Sequence, residues 1–330
     1  MEDLATTYQK KTDIEHIKDA PDTYIGAVEK DKTINWCFEA GKITHKEYEW
    51  VPGLYKCFDE GIVNCRDHVV RLEQKLAKGD PDVVPVSLID VSIDKETGVI
   101  TMMNDGNGID VEMHPEHNLW IPEMIFGHLR TSTNYKKDER KIVGGKNGFG
   151  FKLVLIYSLW GKIETVDHKR GLKYTQEFKD NLGTILPPKI RKCAKAKPYT
   201  KVSWLPDYKR FGIERLTDDI FNLFRKRTYD IAAVTDKKVK VRFNQELIPV
   251  RSFEQYISLY VGAKSETKRV YEQYSQRWEY AVCLSPHDEF TNVAFVNGIY
   301  TSKGGRHVDY ILNQIVRGVS AYIEKKKKIK

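Results

Sequence analysis

A mixed α+β chain is the fold class this sequence predicts, and three observations predict it. Phe58, Ile62, Cys65, Val69, Leu72 and Leu76 recur every three or four positions between Leu54 and Lys78. At ~100° per residue they form one stripe, so this stretch reads as a long helix. Residues 86–103 alternate instead: Ile89, Val91 and Ile93 sit between polar neighbours, Lys95-Glu96-Thr97-Gly98 turns, and Val99–Met103 returns. That is a hairpin. Residues 143–152 read V-G-G-K-N-G-F-G-F-K and lead into Leu153-Val154-Leu155-Ile156, a glycine-rich loop feeding a buried helix.

The other elements follow in order. Residues 1–13 form a polar arm carrying Tyr8, and Asp13–Lys18 has the pattern of a helical turn. Proline and glycine punctuate the loop at Asp19–Gly26. Gly79-Asp80-Pro81 stops the long helix. Pro122–His128 reads as a short helix, and Thr131–Lys141 as a long polar loop of the kind that is usually functional. Lys162–Asp167, Leu172–Phe178 and Thr200–Pro206 are strand-like, and Arg215–Asp230 is helical. From about Arg210 a second α/β unit begins, with strands at Val239–Phe243, Glu279–Leu284 and Thr291–Val296. Its last helix, from about His307 to Lys325, lines up Val308, Ile311, Leu312, Ile315, Val319 and Ile323 on one side.

Bulk composition narrows the function class. The 330 residues suffice for two domains with good cores, and 41% hydrophobic with 30% charged residues is an ordinary globular balance. No apolar run approaches the ~20 residues of a membrane span. The start, Met1-Glu2-Asp3-Leu4, is unlike a secretory signal. Five cysteines include no C-x-x-C pair, so a reducing compartment fits. Net charge is +8, concentrated in Lys325–Lys328 and in Lys189–Lys201. Either run can be a solvated segment; the terminal one is the better candidate for touching nucleic-acid phosphates.

The chemistry lies in four segments. Gly144, Gly145, Gly148 and Gly150 free backbone N–H groups before a helix start, which suits a triphosphate, and Lys152 adds a point charge. Glu60 and Asn64 lie one helical turn apart, where a carboxylate can deprotonate a water and an amide oxygen can ligate Mg²⁺. Asp105, in Asn104-Asp105-Gly106-Asn107-Gly108, can accept a hydrogen bond from an adenine amino group, with Gly108 allowing the base close approach. Ser132, Thr133 and Asn134 can bond ribose or phosphate. Each set also has a bland reading: a solvated helix face, an ordinary D-G turn, a helix cap.

Their order, however, matches the GHKL ATPase pattern: acid and amide on a helix, strand then DGxG, lid, glycine loop, helix. The sequence resembles eukaryotic-type type IIA DNA topoisomerases more closely still. Tyr8-Gln9-Lys10-Lys11, Pro21-Asp22-Thr23-Tyr24-Ile25-Gly26, Val51-Pro52-Gly53-Leu54-Tyr55-Lys56, Ile121–Leu129 and Gly304-Gly305-Arg306-His307-Val308 are similar to that family's text, in its order and across essentially the whole chain.

That resemblance implies a strap over residues 1–13, a Bergerat-type GHKL ATPase domain over 14–210 and a C-terminally incomplete transducer, similar to the ribosomal S5 fold, over 211–330. It implies ATP and Mg²⁺ as ligands. Glu60 would be the general base and Asn64 the Mg²⁺ ligand. Asp105 would sit where adenine is read. Lys146, Asn147, Gly148, Phe149, Gly150 and Lys152 would wrap the triphosphate, with Ser132, Thr133 and Asn134 on the ribose side. Tyr8 would reach a partner subunit's nucleotide in a homodimer. Lys325, Lys326, Lys327 and Lys328 would contact double-stranded DNA. Toprim and cleavage domains would follow in the same polypeptide, which would work inside the cell, in the nucleus or, if viral, in the virion or a cytoplasmic replication site. The alternative is a chaperone or mismatch-repair clamp of the same ATPase superfamily, or a module that dimerises on nucleotide without hydrolysing it.

Departures from the family pattern carry their own expectations. His68 stands where a second Asn is usual, which would make nucleotide binding pH-sensitive near neutrality. Lys146 replaces Arg, Phe149 replaces Tyr, and Phe151 replaces a small residue. Gly61 inside the long helix costs about 1 kcal/mol against Ala. The family's Gln-Thr-Lys loop does not occur before Lys330, so the chain is expected to be part of a longer enzyme and to hydrolyse ATP slowly alone.

Overall fold

The computed structural model describes residues 10–129, 131, 150–285 and 289–327. It opens with helices α1 (Asp13–Asp19) and α2 (Pro21–Tyr24), then a hairpin of β1 (Asp31–Glu39) and β2 (Lys42–Trp50). Thr12 and Glu15 close a capping box at the start of α1. The hairpin turns on Ala40-Gly41, both at positive φ, as a tight two-residue turn requires. The long helix α3 (Pro52–Ala77) follows, then β3 (Leu88–Ile93), β4 (Ile100–Asp105), α4 (Ile121–Gly127) and α5 (Gly150–Ile156). Next come β5 (Ser158–Asp167), β6 (Leu172–Lys179), β7 (Thr184–Ile185), β8 (Lys189–Lys192), β9 (Tyr199–Pro206) and α6 (Asp218–Ala233). The chain continues through β10 (Lys240–Phe243), β11 (Glu246–Leu247), α7 (Phe253–Val261), β12 (Arg269–Ser275), β13 (Trp278–Cys283), β14 (Phe295–Val296), β15 (Ile299–Tyr300) and α8 (Arg306–Lys327).

One mixed sheet dominates, with strand order β11-β10-β3-β4-β9-β5-β6-β7 and β8 also on β6. Among the described residues only the β10–β3 pair of this sheet is parallel. Helices α3, α5 and α6 cover one face. Gly61 lets α3 lie against the sheet, because a methyl there would come within 2.7 Å of the Met102 sulfur and 3.4 Å of Trp204. The helix-propensity cost of Gly61 therefore permits close packing. Phe151 fills the same layer edge-on between Phe126, at 5.5 Å, and Trp204, at 5.3 Å.

The mixed α+β expectation holds, with two differences. The large sheet takes in strands from beyond residue 210: β10 pairs with β3, and Asn244 Oδ1 accepts from the Ile93 N–H at 2.7 Å, so the sheet runs on to Leu247. Thr291–Val296 contributes only the two-residue β14. All five cysteines are unpaired. Among the described residues no helix is long and apolar enough to cross a membrane.

Candidate nucleotide site

The site begins on α3, whose polar stripe is not a solvated face. Glu60, Asn64 and His68 are half-buried and look toward α5 and the turn after β4. Gly150, the first residue of α5, rests directly on Glu60 and Asn64. A Cβ built there would stand 3.0 Å from Glu60 Oε2 and 3.7 Å from Asn64 Nδ2. Glycine thus leaves open the small space between backbone, carboxylate and amide. Lys56, one turn earlier, holds Glu60 Oε1 at 2.5 Å. Burial works to lower the Lys56 pKa, but the Glu60 charge outweighs it and the net shift is upward.

His68 ends the stripe. Its Nε2 lies 2.8 Å from the Asn107 carbonyl oxygen, so Nε2 carries the proton and donates. Burial, aided by the nearby Arg71 charge, pulls its pKa down to about 4. The ring is neutral near pH 7, and the expected switch near neutrality is corrected on that ground. His68 ties α3 to the turn after β4. Asn107 ties that turn onward: Val84 N–H donates to its Oδ1 at 2.6 Å, and its own N–H donates to Val84 O at 3.1 Å.

Asp105 is the clearest correction. Along β4, Ile100, Met102 and Asn104 are buried and alternate with Thr101, Met103 and Asp105. Met102 packs on Gly61 of α3, so Asn104 faces the helix layer and Asp105 the opposite side. The Asp105 carboxylate is engaged there. It accepts from Ser87 N at 2.7 Å, Leu88 N at 2.8 Å and the Ser87 hydroxyl at 2.5 Å. It fastens the start of β3 and cannot read a base in the α3 layer. Asn104, 6% exposed, holds that position, its Nδ2 donating to Asp105 O at 2.9 Å. The alternation of Ile100, Met102 and Asn104 was the signal that could have found it. Gly108 also differs in role. A methyl there would fall 1.9 Å from the Val166 carbonyl oxygen, so glycine admits strand β5 rather than a base. The neighbouring Ile109 N–H donates to Thr165 Oγ1 at 2.9 Å.

Lys152 is 3% exposed, and its Nζ donates to Thr131 O at 2.5 Å. Burial lowers its pKa to about 8, which leaves it mostly protonated at pH 7. The ammonium thereby holds Thr131, just before the 132–149 stretch, beside α5, just after it. Tyr8, Ser132, Thr133, Asn134, Lys146, Asn147, Gly148, Phe149 and Lys328 lie outside the described residues. Lys325, Lys326 and Lys327 are exposed on the last turn of α8, far along the chain from this cluster.

A buried node behind Glu60 had no signal in the sequence. Arg227 on α6 is fully buried. Its Nε donates to Asp59 Oδ1 at 2.6 Å and its Nη2 to the Gly298 carbonyl at 2.7 Å. Asp59 precedes Glu60, so one guanidinium joins the helix carrying the carboxylate to the β14–β15 turn.

Comparisons with known proteins place the chain in a family. A family model described as DNA gyrase B matches residues 252–330. The "DNA topoisomerase 2" of Acanthamoeba polyphaga mimivirus is 46% identical over 97% of this chain and 25% of its own length. That of Arabidopsis thaliana is 44% identical over 97% of this chain and 21% of its own. The crystal structure of the ATPase region of Saccharomyces cerevisiae topoisomerase II superposes with a TM-score of 0.89 at 40% identity, covering 99% of this chain and 83% of that one. The chain belongs to the ATPase region of eukaryotic-type DNA topoisomerase II. Another such region, the ATPase and transducer domains of the Balamuthia mandrillaris enzyme, gives a TM-score of 0.89 at 37% identity over 98% of this chain and 80% of that one. These whole-chain matches favour the topoisomerase II ATPase region over the chaperone or mismatch-repair alternative. The chain spans about a quarter of the length of the mimivirus relative.

Proposed function

We propose that this chain binds and hydrolyses ATP and serves as the nucleotide-operated gate of a type II DNA topoisomerase. The observation that carries the reading is the seat of Gly150 on Glu60 and Asn64, with space left where a side chain would be. A triphosphate led into that space would meet the N–H groups of the glycine loop and a carboxylate able to take a proton from water. Lys56 holds that carboxylate in place until water or nucleotide competes for it. Asn104 is the residue we assign to the adenine edge, in place of Asp105. Mg²⁺ fits the same corner: the Asn64 side-chain oxygen is a hard donor on a half-buried face, and the ion would neutralise phosphate charge when bound.

Larger assemblies belong to the same proposal. The Tyr8 strap would close a homodimer over the nucleotide, and Lys325–Lys328 would touch the backbone of a captured DNA duplex. Domains for DNA cleavage would follow, as the greater length of the relatives suggests. The place of work would be the nucleus or, for a viral enzyme, its replication site. ATP favours only the state it touches more, so closure follows from interactions made solely in the dimer.

Glu60→Gln tests the core of this. Steady-state hydrolysis should fall by roughly 10²-fold or more while a non-hydrolysable ATP analogue still binds. Unchanged hydrolysis would remove Glu60 from the role of base. No analogue binding by the wild-type chain would remove the ATPase reading itself.

A further inference from the structure

The face of the central sheet turned away from the helices carries its own basic surface, distinct from the terminal lysine run. Met103 and Asp105 mark this side, opposite Met102 and Asn104. Strand register then lines up residues across the sheet. Arg242 pairs with Asp90, Asp90 with Met103, Met103 with Lys201, Lys201 with Glu164, Glu164 with Thr175, and Thr175 with Lys189. Arg242, Lys201 and Lys189 therefore stand in one row, each three strands from the next. At ~4.8 Å per strand, neighbouring cations are about 14 Å apart. A shallow cavity of about 610 Å³ opens on this row, bordered by Lys197, Lys201, Lys238, Lys240 and Arg242.

The charge there is only partly compensated, five cations against the carboxylates of Asp105, Glu164 and Asp90. Those five cations are exposed and make no ion pair among the described residues. The two acids lining the cavity are already engaged. Asp105 is bonded to Ser87 and Leu88, and Glu164 accepts from the Tyr199 hydroxyl and pairs with Lys173 at 2.9 Å. Asp90, half-buried, is the one other acid in the row. Like charges gathered on one face raise the energy of the free protein slightly and favour whatever polyanion spreads across them.

Spacing and flatness choose the partner. A small anion can sit among the cations bordering the cavity but cannot span the row, whose members stand about 14 Å apart across four strands. A bound peptide needs apolar anchors or a free strand edge, and the cavity on this face is lined mainly by charged and polar side chains, with Leu88, Met103, Pro198 and Tyr199 as its apolar and aromatic members. A nucleic-acid duplex presents two charged backbones separated by grooves of roughly 6–12 Å, at one charge per ~1.7 Å of axis. We propose that this sheet face is a second contact surface for duplex nucleic acid, gripping the sugar–phosphate backbone without reading sequence. The surface stands on charge layout and register and does not depend on nucleotide binding.

The test titrates a short DNA duplex against the chain between about 50 and 200 mM salt. The comparison is between wild type, a Lys201→Gln/Arg242→Gln variant, and a variant with Lys325, Lys326 and Lys327 changed to Ala. The sheet-face variant should bind several-fold more weakly at low salt, and its salt slope should fall by roughly 1.8, about 0.9 for each phosphate no longer neutralised. Combined with the terminal changes, the losses should add. Its unfolding midpoint and its binding of a non-hydrolysable ATP analogue should stay at wild-type values, which separates this surface from the ATP site. An unchanged duplex affinity and slope overturns the proposal. So does polyglutamate binding that depends on Lys201 and Arg242 while duplex binding does not, which would assign the face to an acidic protein.

Discussion

Helices α3 and α8 are both long and both amphipathic, yet they live in different surroundings. On α3 the apolar stripe is sealed: Phe58 and Ile62 are fully buried, and even the opposite, polar stripe is half-covered by α5 and the β4 turn. On α8 no residue is buried, and Val319, Tyr322 and Ile323 are 52%, 62% and 44% exposed. A helical period states which side chains share a face; it does not state what covers that face. In the sheet region, covering elements come from far along the chain and enclose a polar stripe, which is what a reaction site needs. In the C-terminal region, the helix is formed without a covering layer among the described residues.

Arg227 is where the two regions are stitched together, and breaking it should have the largest effect. Arg227→Ala would leave Asp59 with its charge and no partner, and the Gly298 carbonyl without its donor. Lys226 still reaches Asp230 at 2.9 Å, so the damage centres on Asp59. Removing one partner of a buried pair costs about 3–5 kcal/mol. Denaturant unfolding should show that loss. Arg227→Met should lose less in packing but the same pairing. If Arg227→Ala unfolds as wild type does, the two regions are not coupled through this residue.

His68 sharpens the same comparison within α3. Its pKa is down to about 4 in the fold against the ordinary value near 6.5, because burial disfavours the charged ring. The unfolded chain therefore binds the extra proton first as pH drops. The stabilisation is complete above about pH 6.5 and is lost progressively toward pH 4. Between pH 7 and pH 5 it should amount to about 2 kcal/mol at most. His68→Asn should remove that part of the acid sensitivity. Thermal unfolding of both proteins at the two pH values gives the difference. Equal acid losses in both would mean the ring is not held neutral against Asn107.

Much of this was legible locally. Helix α3, the β3–β4 hairpin, α5 and α8 all announce themselves through period or punctuation. The hairpin β1–β2 did not, since Ile34 is exposed while Trp36, Cys37 and Phe38 are buried in succession, which breaks strict alternation. The parallel pairing of β10 with β3 joins residues about 150 apart, and nothing within either strand encodes it. The neighbourhood of Glu60, Asn64 and Gly150 was legible, since the structure brings together three residues whose pattern suggested a shared site. The face that Asp105 occupies was not legible, because in a strand adjacent residues point to opposite faces and only the position of Met102 against Gly61 decides which is which. Arg227 has no sequence signal at all, since its meaning comes from Asp59 on another helix.

The smallest predicted effect completes the contrast between the two helices. Ile62→Ala, at a fully buried position of α3, removes packing on every side and should cost about 2–5 kcal/mol. Ile323→Ala, at a position of α8 with 44% exposure, gives up little packing within this chain and should stay within about 0.5 kcal/mol of wild type. Alanine is also the better helix former, which pulls the second value toward zero. Chemical denaturation of both variants measures the pair directly. A cost at Ile323 approaching that at Ile62 would mean that α8 is covered in solution, by a second copy or by segments beyond this structure. The helix would then be as well packed as α3, and its bareness would belong to the isolated chain alone.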